Sequence, residues 1–357
     1  MSPLALSGLL LYCRAGFEKA CAQDVVLAAE SHGVTGWCRA VPDSAWVLFQ
    51  PAEAGGLALL RKKLEFDGLG FARQMVYVTP VLKLSPENRL PPLVDTAKAL
   101  PGPYSALWLE TADTNEAKEL SGFCRKFEPH LKKALDKENL FKTNSPPLPR
   151  LHVFFTDSTT AYAGISQPGN SSNWPMGIPR LKMPREAPSR STLKLAEALL
   201  EMLSEQERAR FRPGRRAVDL GAAPGGWTWQ LVNRGMKVTA VDNGPMDQAL
   251  MESGLVEHLR ADGFTFRPRH PVDWLVCDMV EKPARVVDLV ARWFERGDCR
   301  GAIFNLKLPM KRRFEEVQLA REVLQARLAR LEGAWRIAVR QLYHDREEVT
   351  FAVLPVA

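Results

Sequence analysis

The chain has 357 residues, of which 46% are hydrophobic and 25% charged, a soluble-protein composition and a length suited to two or three domains. No apolar run approaches the ~18–20 residues of a membrane span, and no basic region precedes the short apolar start, so neither insertion nor export is expected and the cytoplasm is the default. The net charge of +7 is concentrated: residues 171–217 hold 10 Lys and Arg against 5 Asp and Glu, which points to a local site for phosphates.

In chain order, residues 7–13 (SGLLLYC) read as a strand and 17–31 as a helix with apolar positions at helical spacing. Strands are expected at 45–50 and 73–78 around a helix at 56–64. A Pro-rich passage, 80–103, separates this part from a strand at 106–110. A long amphipathic helix, 114–138, carries Arg125, Lys126, Lys132 and Lys133. Residues 152–155 and 161–165 flank TDSTT, a hairpin signal. Together these make 1–170 an α+β region. Residues 171–190, rich in proline and bearing Arg180, Lys182, Arg185 and Arg190, read as a basic linker, with Trp174 and the later Phe211 as candidate base-stacking groups.

One helix is expected over 192–210. From residue 216 the rhythm becomes strand, helix, strand, with strands at 216–220, 237–241, 272–277 and 302–308. Helices fall at 226–233 and 285–295, with a shorter one near 246–253. Apolar strands alternating with helices indicate a parallel sheet covered on both faces. Residues 335–342 and 349–356 are too close in sequence for a parallel crossover and must pair antiparallel. The fold class is α/β, with a Rossmann-like domain over 191–357; a parallel sheet that ends in an antiparallel hairpin resembles class I methyltransferase domains.

The segment VDLGAAPGGW, 218–227, follows a strand and opens a helix, as a cofactor loop must. Its G-x-x-x-G-G spacing departs from the dinucleotide fingerprint, and Pro224 removes an N–H that a pyrophosphate cradle would use. A cofactor without phosphate fits better, and a side chain at Gly225 would lie in its place. Asp242 ends the next strand 23 residues after Asp219, where an acid can accept from ribose hydroxyls. Asp262 stands where an adenine contact would lie. The six cysteines form no C-x-x-C pair and suit packing better than disulfides or metal binding; no metal is expected.

DLGAAPGGWTWQL resembles the cofactor loop of the FtsJ-type ribose 2′-O-methyltransferases. The resemblance continues through SRSTLKLAEA, VCDMVEKP, FNLKLPM and HDREEVTFAV. It implies a catalytic tetrad of Lys194, Asp278, Lys307 and Glu348. It implies S-adenosyl-L-methionine held by Ser191, Ala223, Pro224, Gly225, Gly226, Asp242, Asp262 and Asp278. It also implies a THUMP-type RNA-binding region before the catalytic domain, and 2′-O-methylation of a cytidine in 23S rRNA by a monomer. The alternative is an RNA-binding assembly scaffold with a vestigial methyltransferase fold.

The tetrad suits the chemistry. A ribose hydroxyl becomes a good nucleophile only on losing its proton, so a positioned base helps. A lysine base must be neutral, and lowering its pKa from ~10.4 to near 7 takes about 4.6 kcal/mol. Burial of Lys307 and a nearby Lys194 would both push that way. Asp278 would orient Lys307 and face the sulfonium, and Glu348 would orient Lys194.

Overall fold

The computed structural model describes residues 6–142 and 147–356. It divides into two compact units, Met1–Pro179 and Arg180–Ala357.

The first unit is built on one eight-stranded sheet. Its strands are β1 (Gly8–Tyr12), β2 (Gly36–Ala40), β3 (Trp46–Pro51), β4 (Gln74–Val78), β5 (Leu82–Lys83), β6 (Ala106–Thr111), β7 (Arg150–Asp157) and β8 (Thr160–Ser166). The order is β2-β3-β1-β4-β8-β7-β6, with β5 paired to β8. All neighbours are antiparallel except β6 and β7. Helices α1 (Glu18–Ser31), α2 (Gly56–Lys63), α3 (Leu90–Ala99) and α4 (Lys118–Lys137) cover it. β1 is buried along its whole length because both of its faces are covered. Leu10, Tyr12, Trp46, Leu48, Val76, Val78, Phe154 and Tyr162 pack together on one face.

Two expectations change here. The Pro-rich passage 80–103 does not separate two bodies, since β4 pairs directly with β8 through Tyr77↔Ile165. It contains α3 instead, whose prolines sit in the first helical turn, where no intrahelical N–H is needed. Residues 171–177, within the expected linker, are fastened to the first sheet. Gln74 bonds both the Ser172 amide (3.1 Å) and its carbonyl (3.3 Å), and Arg150 reaches Ser171, Ser172 and Asn173. Small polar residues look like loop in sequence, but here their backbone groups find partners in the sheet's side chains.

The second unit holds a seven-stranded sheet in the order β11-β10-β9-β12-β13-β15-β14. Its strands are β9 (Arg216–Leu220), β10 (Lys237–Val241), β11 (Val256–Leu259), β12 (Val272–Cys277), β13 (Cys299–Lys307), β14 (Trp335–Arg340) and β15 (Glu348–Pro355). β9 to β13 are parallel, and β15 is antiparallel to both β13 and β14. This is a class I methyltransferase fold, and its strand order reverses between β9 and β12, beside the glycine loop. The helices are α5 (Thr192–Glu201), α6 (Glu205–Arg208), α7 (Gly226–Val232), α8 (Gln248–Glu252), α9 (Pro283–Glu295) and α10 (Arg313–Leu328).

Leu195 and Leu199 of α5 pack with Trp227 and Leu231 of α7 on Val238, Trp274 and Val276 of the sheet. Phe211 joins them, stacked on Trp274 at 4.0 Å and 6% exposed, so it is a core residue and not a base-stacking group. The single helix expected over 192–210 is two helices. Ser204 interrupts it with a capping box: it accepts from the Glu207 amide at 3.2 Å, and its own amide donates to Glu207 at 2.8 Å.

Candidate active site

Every site residue expected from the sequence lies on α5 or at the carboxyl-end edge of the second sheet, where parallel α/β sheets bind ligands. β9 delivers the glycine loop, β10 Asp242, β11 Asp262, β12 Asp278 and β13 Lys307. Glu348 opens β15 at the same edge because that strand runs the other way, making it the register partner of Lys307.

The glycine loop is shaped by close approach. Gly221 has φ +78, and a Cβ there would come within 2.7 Å of Met279 Cγ. Gly225 has φ +119, and its Cβ would collide with the Leu250 side chain. At Gly226 the obstacles are the hydroxyls of Ser189 and Ser191, which lie 2.7 Å apart. The sequence reading gave Gly225's missing side chain to the ligand; the structure gives that space to Leu250. Asp242 fixes the loop from below, accepting from the Ala223 amide at 3.0 Å and the Gly244 amide at 2.7 Å. Ala223 and Pro224 form the turn between these anchors. Asp262 is exposed, and its carboxylate caps its own turn through the Phe264 amide at 2.9 Å.

These residues fit a cationic, phosphate-free cofactor. Asp219 is 1% exposed, accepts from Thr228 Oγ1 at 2.6 Å through one oxygen, and leaves Oδ1 buried without a partner. Burial, with Asp278 and Asp242 adding their negative charge, pushes its carboxyl up to about 7. A site whose carboxylates repel one another and retain free lone pairs favours ammonium and sulfonium groups. The Ser191 hydroxyl stands against Gly226, at the end of the same turn.

Asp219 also sets a pH dependence of stability. Its folded pKa lies above the ordinary 3.8, so the fold holds a proton that the unfolded chain has released. Stability contributed by this group is therefore present at low pH and lost as pH rises from about 4 to about 7. We expect the unfolding free energy of wild type relative to Asp219→Asn to fall by roughly 4 kcal/mol across that window. Urea midpoints at several pH values, without cofactor, measure it; a difference independent of pH would contradict the assignment.

Of the four residues expected to form a tetrad, Lys194 joins Asp278 to Glu348. Lys194 Nζ lies 3.3 Å from both Asp278 oxygens and 3.6 Å from Glu348 Oε1. Asn305 Nδ2 donates to Asp278 Oδ1 at 2.9 Å. Burial lowers the pKa of Lys194, but Asp278, Glu348 and Asp345 together outweigh it and hold the ammonium charged. Burial pushes the Asp278 carboxyl up, only partly offset by Lys194 and Asn305. The partner expected for Asp278 was Lys307; its observed partners are Lys194 and Asn305. Lys307 is exposed, and among the described residues its side chain makes no hydrogen bond or ion pair. The burial expected for it is therefore not supplied by the protein itself. Any such burial must come from the substrate.

The sequence reading missed four supporting residues. Thr350, register partner of Asn305, donates to Asn305 Oδ1 at 2.8 Å and lies 2.9 Å from Asp345 Oδ2. Asp345 is fully buried and pushed well above the carboxylate range by that burial. Glu197, three residues after Lys194 on α5, accepts from the amides of Tyr343 and His344, each at 2.8 Å, and so locks α5 to the turn before Glu348. Asn305 and Thr350 had one available signal: polar residues inside apolar strands require partners.

Three family models match successive parts of the chain. They are RlmM ferredoxin-like domain over 6–76, Ribosomal RNA large subunit methyltransferase M, N-terminal, over 88–167, and FtsJ-like methyltransferase over 187–339. Full-length relatives are similar throughout. Ribosomal RNA large subunit methyltransferase M of Methylococcus capsulatus is 55% identical over 345 residues, covering 96% of this chain and 97% of the relative. The protein of the same name from Thauera aminoaromatica is 51% identical, with 97% and 96% covered. That from Azotobacter vinelandii is 52% identical, with 97% of each covered.

Proposed function

Because this chain belongs to the ribosomal RNA large subunit methyltransferase M family, we propose that it transfers a methyl group from S-adenosylmethionine to the 2′-oxygen of a cytidine ribose in 23S rRNA. The observation that carries the choice of oxygen is the Lys194–Asp278–Asn305 cluster meeting Glu348 and Lys307 beside the glycine loop. Rival acceptors find no counterpart. Cys277, which a cytosine C5 methylase would use as nucleophile, is fully buried in β12 with its thiol pushed up to about 12 by burial. The same strand end continues as Asp278-Met279-Val280-Glu281, with no aromatic side chain to stack a flipped base.

When bound, S-adenosylmethionine supplies an electrophilic methyl on a sulfonium. Lys307 removes the 2′-hydroxyl proton, so that the ribose oxygen would be ready to accept that methyl group. RNA seated over the exposed Lys307 excludes water and favours its neutral form. Lys194, kept charged between Asp278 and Glu348, is the fixed like charge that further favours that form. Asp278 faces the sulfonium side of the site and holds Lys194. The first unit, a THUMP-type region, recognises the RNA, with Arg125, Lys126 and Lys133 on α4 as backbone contacts. Lys132 is already engaged by Asp136 and the Phe141 ring.

Methylation of the 2′-oxygen blocks alkaline cleavage at the following phosphodiester. We expect the enzyme to transfer labelled methyl from S-adenosylmethionine into unmodified large-subunit rRNA. Alkali should then release the label in a dinucleotide that begins with cytidine. Label released as a mononucleotide would mean a base is methylated and would overturn the reading.

A further inference from the structure

Arg216 and Lys237 are register partners on the first rung shared by β9 and β10. Neighbouring strands lie about 4.8 Å apart, and paired residues project from the same face. Two like charges therefore stand side by side, which disfavours the fold unless an anion lies between them. The protein supplies none: among the described residues neither side chain makes a hydrogen bond or an ion pair. The neighbouring carboxylate, Asp273, is occupied by Arg215 at 2.9 Å and by the Arg216 amide at 2.9 Å.

Both cations line a cavity of about 470 Å³ at the amino ends of β9 to β12, where Arg267, Arg269 and His270 also contribute. Glu257 is the one carboxylate among the lining residues. Arg269 and His270 likewise have no partner among the described residues, while Arg267 lies 3.6 Å from Asp298. The cavity occupies the edge of the sheet opposite the glycine loop, Asp242 and Asp278. A five-residue strand separates the two edges by roughly 17 Å. Groups here cannot touch the reacting atoms, so their use is binding alone.

We propose that this cavity is a second RNA-backbone site, in which a phosphodiester of the substrate, remote from the methylated nucleotide, seats between Arg216, Lys237 and Arg269. This rests on the reading that the substrate is RNA. Unpaired cations from separate chain segments converging on one cavity match a polyanion, and phosphate contacts of this kind set register without reading sequence. RNA is the polyanion an rRNA methyltransferase must hold.

The test uses the full chain carrying Arg216→Gln, Lys237→Gln and Arg269→Gln together, with unmodified large-subunit rRNA transcript as the probe across a salt series. Affinity should fall about tenfold or more at low salt, and the log–log salt slope should become shallower by about 0.7, the value for one phosphate on a single strand. Cofactor affinity and the single-turnover rate at saturating RNA should match wild type. The melting temperature should equal or exceed that of wild type, since a like-charge pair has been removed. If the triple variant does not fold, Lys237→Gln alone should still weaken RNA binding at low salt and make the slope shallower. Wild-type affinity and slope would overturn the proposal. So would unchanged RNA binding with lost affinity for a polyglutamate peptide, which would assign the cavity to an acidic protein. A wild-type enzyme that neither binds nor methylates the transcript would instead remove the proposed function itself.

Discussion

Replacing Gly225 with valine is expected to abolish S-adenosylmethionine binding, with affinity falling at least about a hundredfold, while the sheet and helices persist. Two effects combine. The backbone at φ +119 is one that a β-branched residue adopts only under strain, at about 1–3 kcal/mol. The added side chain must also displace Leu250 and approach Met246, whose Cε lies 3.2 Å from the Cβ position, and overpacking of this kind costs about 1–3 kcal/mol more. The loop can relieve both only by shifting, which moves the turn at Ala223 and Pro224 away from its hydrogen bond with Asp242. Calorimetric titration with cofactor, alongside circular dichroism, measures the effect. Gly254→Ala is the control: its φ is +68 but nothing lies within 4 Å of a Cβ there, so it should bind cofactor normally. Unchanged affinity in folded Gly225→Val would remove the loop from the cofactor site.

Removing the base should be as severe. Lys307→Ala is expected to slow methyl transfer by ~10²–10⁴-fold, the usual contribution of a positioned base. Cofactor affinity should change little, because no contact of the glycine loop involves this residue. Lys194→Ala should act differently. It leaves Asp278 and Glu348 without their shared cation, and carboxylates near Lys307 favour its charged form. The pH at which the wild-type rate levels off should then move upward. Single-turnover rates at saturating RNA distinguish these outcomes. A pH profile unaltered in Lys194→Ala would show that the two lysines do not interact.

Much of the second unit was legible because its constraints are local. A strand–glycine–helix junction has few solutions, and the apolar strands at 216–220 and 272–277 announce burial on both faces. The capping box at Ser204, the half-exposed edge strand β11 and helix α10 escaped for separate reasons. Ser204 lies inside a continuous helical pattern. β11 has no fully buried residue, so it lacks strand periodicity. In α10 a high charge density surrounds the buried stripe of Val317, Ala320, Leu324 and Leu328. In the site, sequence order gave the four residues expected as a tetrad but not their pairings. Whether Asp278 meets Lys194 or Lys307 depends on how α5 is locked by Glu197 to the turn before β15, a contact between residues nearly 150 positions apart. The exposure of Lys307 was equally hidden. An apolar run around it implied burial, yet the residue ends its strand and its side chain reaches the surface.

The measurement that bears most directly on the mechanism is single-turnover methyl transfer by Lys307→Arg across about pH 6–10 with saturating RNA and cofactor. Arginine keeps the positive charge but stays protonated throughout this range, so it cannot accept the hydroxyl proton. The wild-type rate should rise with pH as Lys307 loses its proton and then level off. The arginine variant should remain ~10²–10⁴-fold slower at every pH, as expected for loss of a positioned base. Near-wild-type rates from the arginine variant would contradict the account, because the side chain would then act only as a fixed charge.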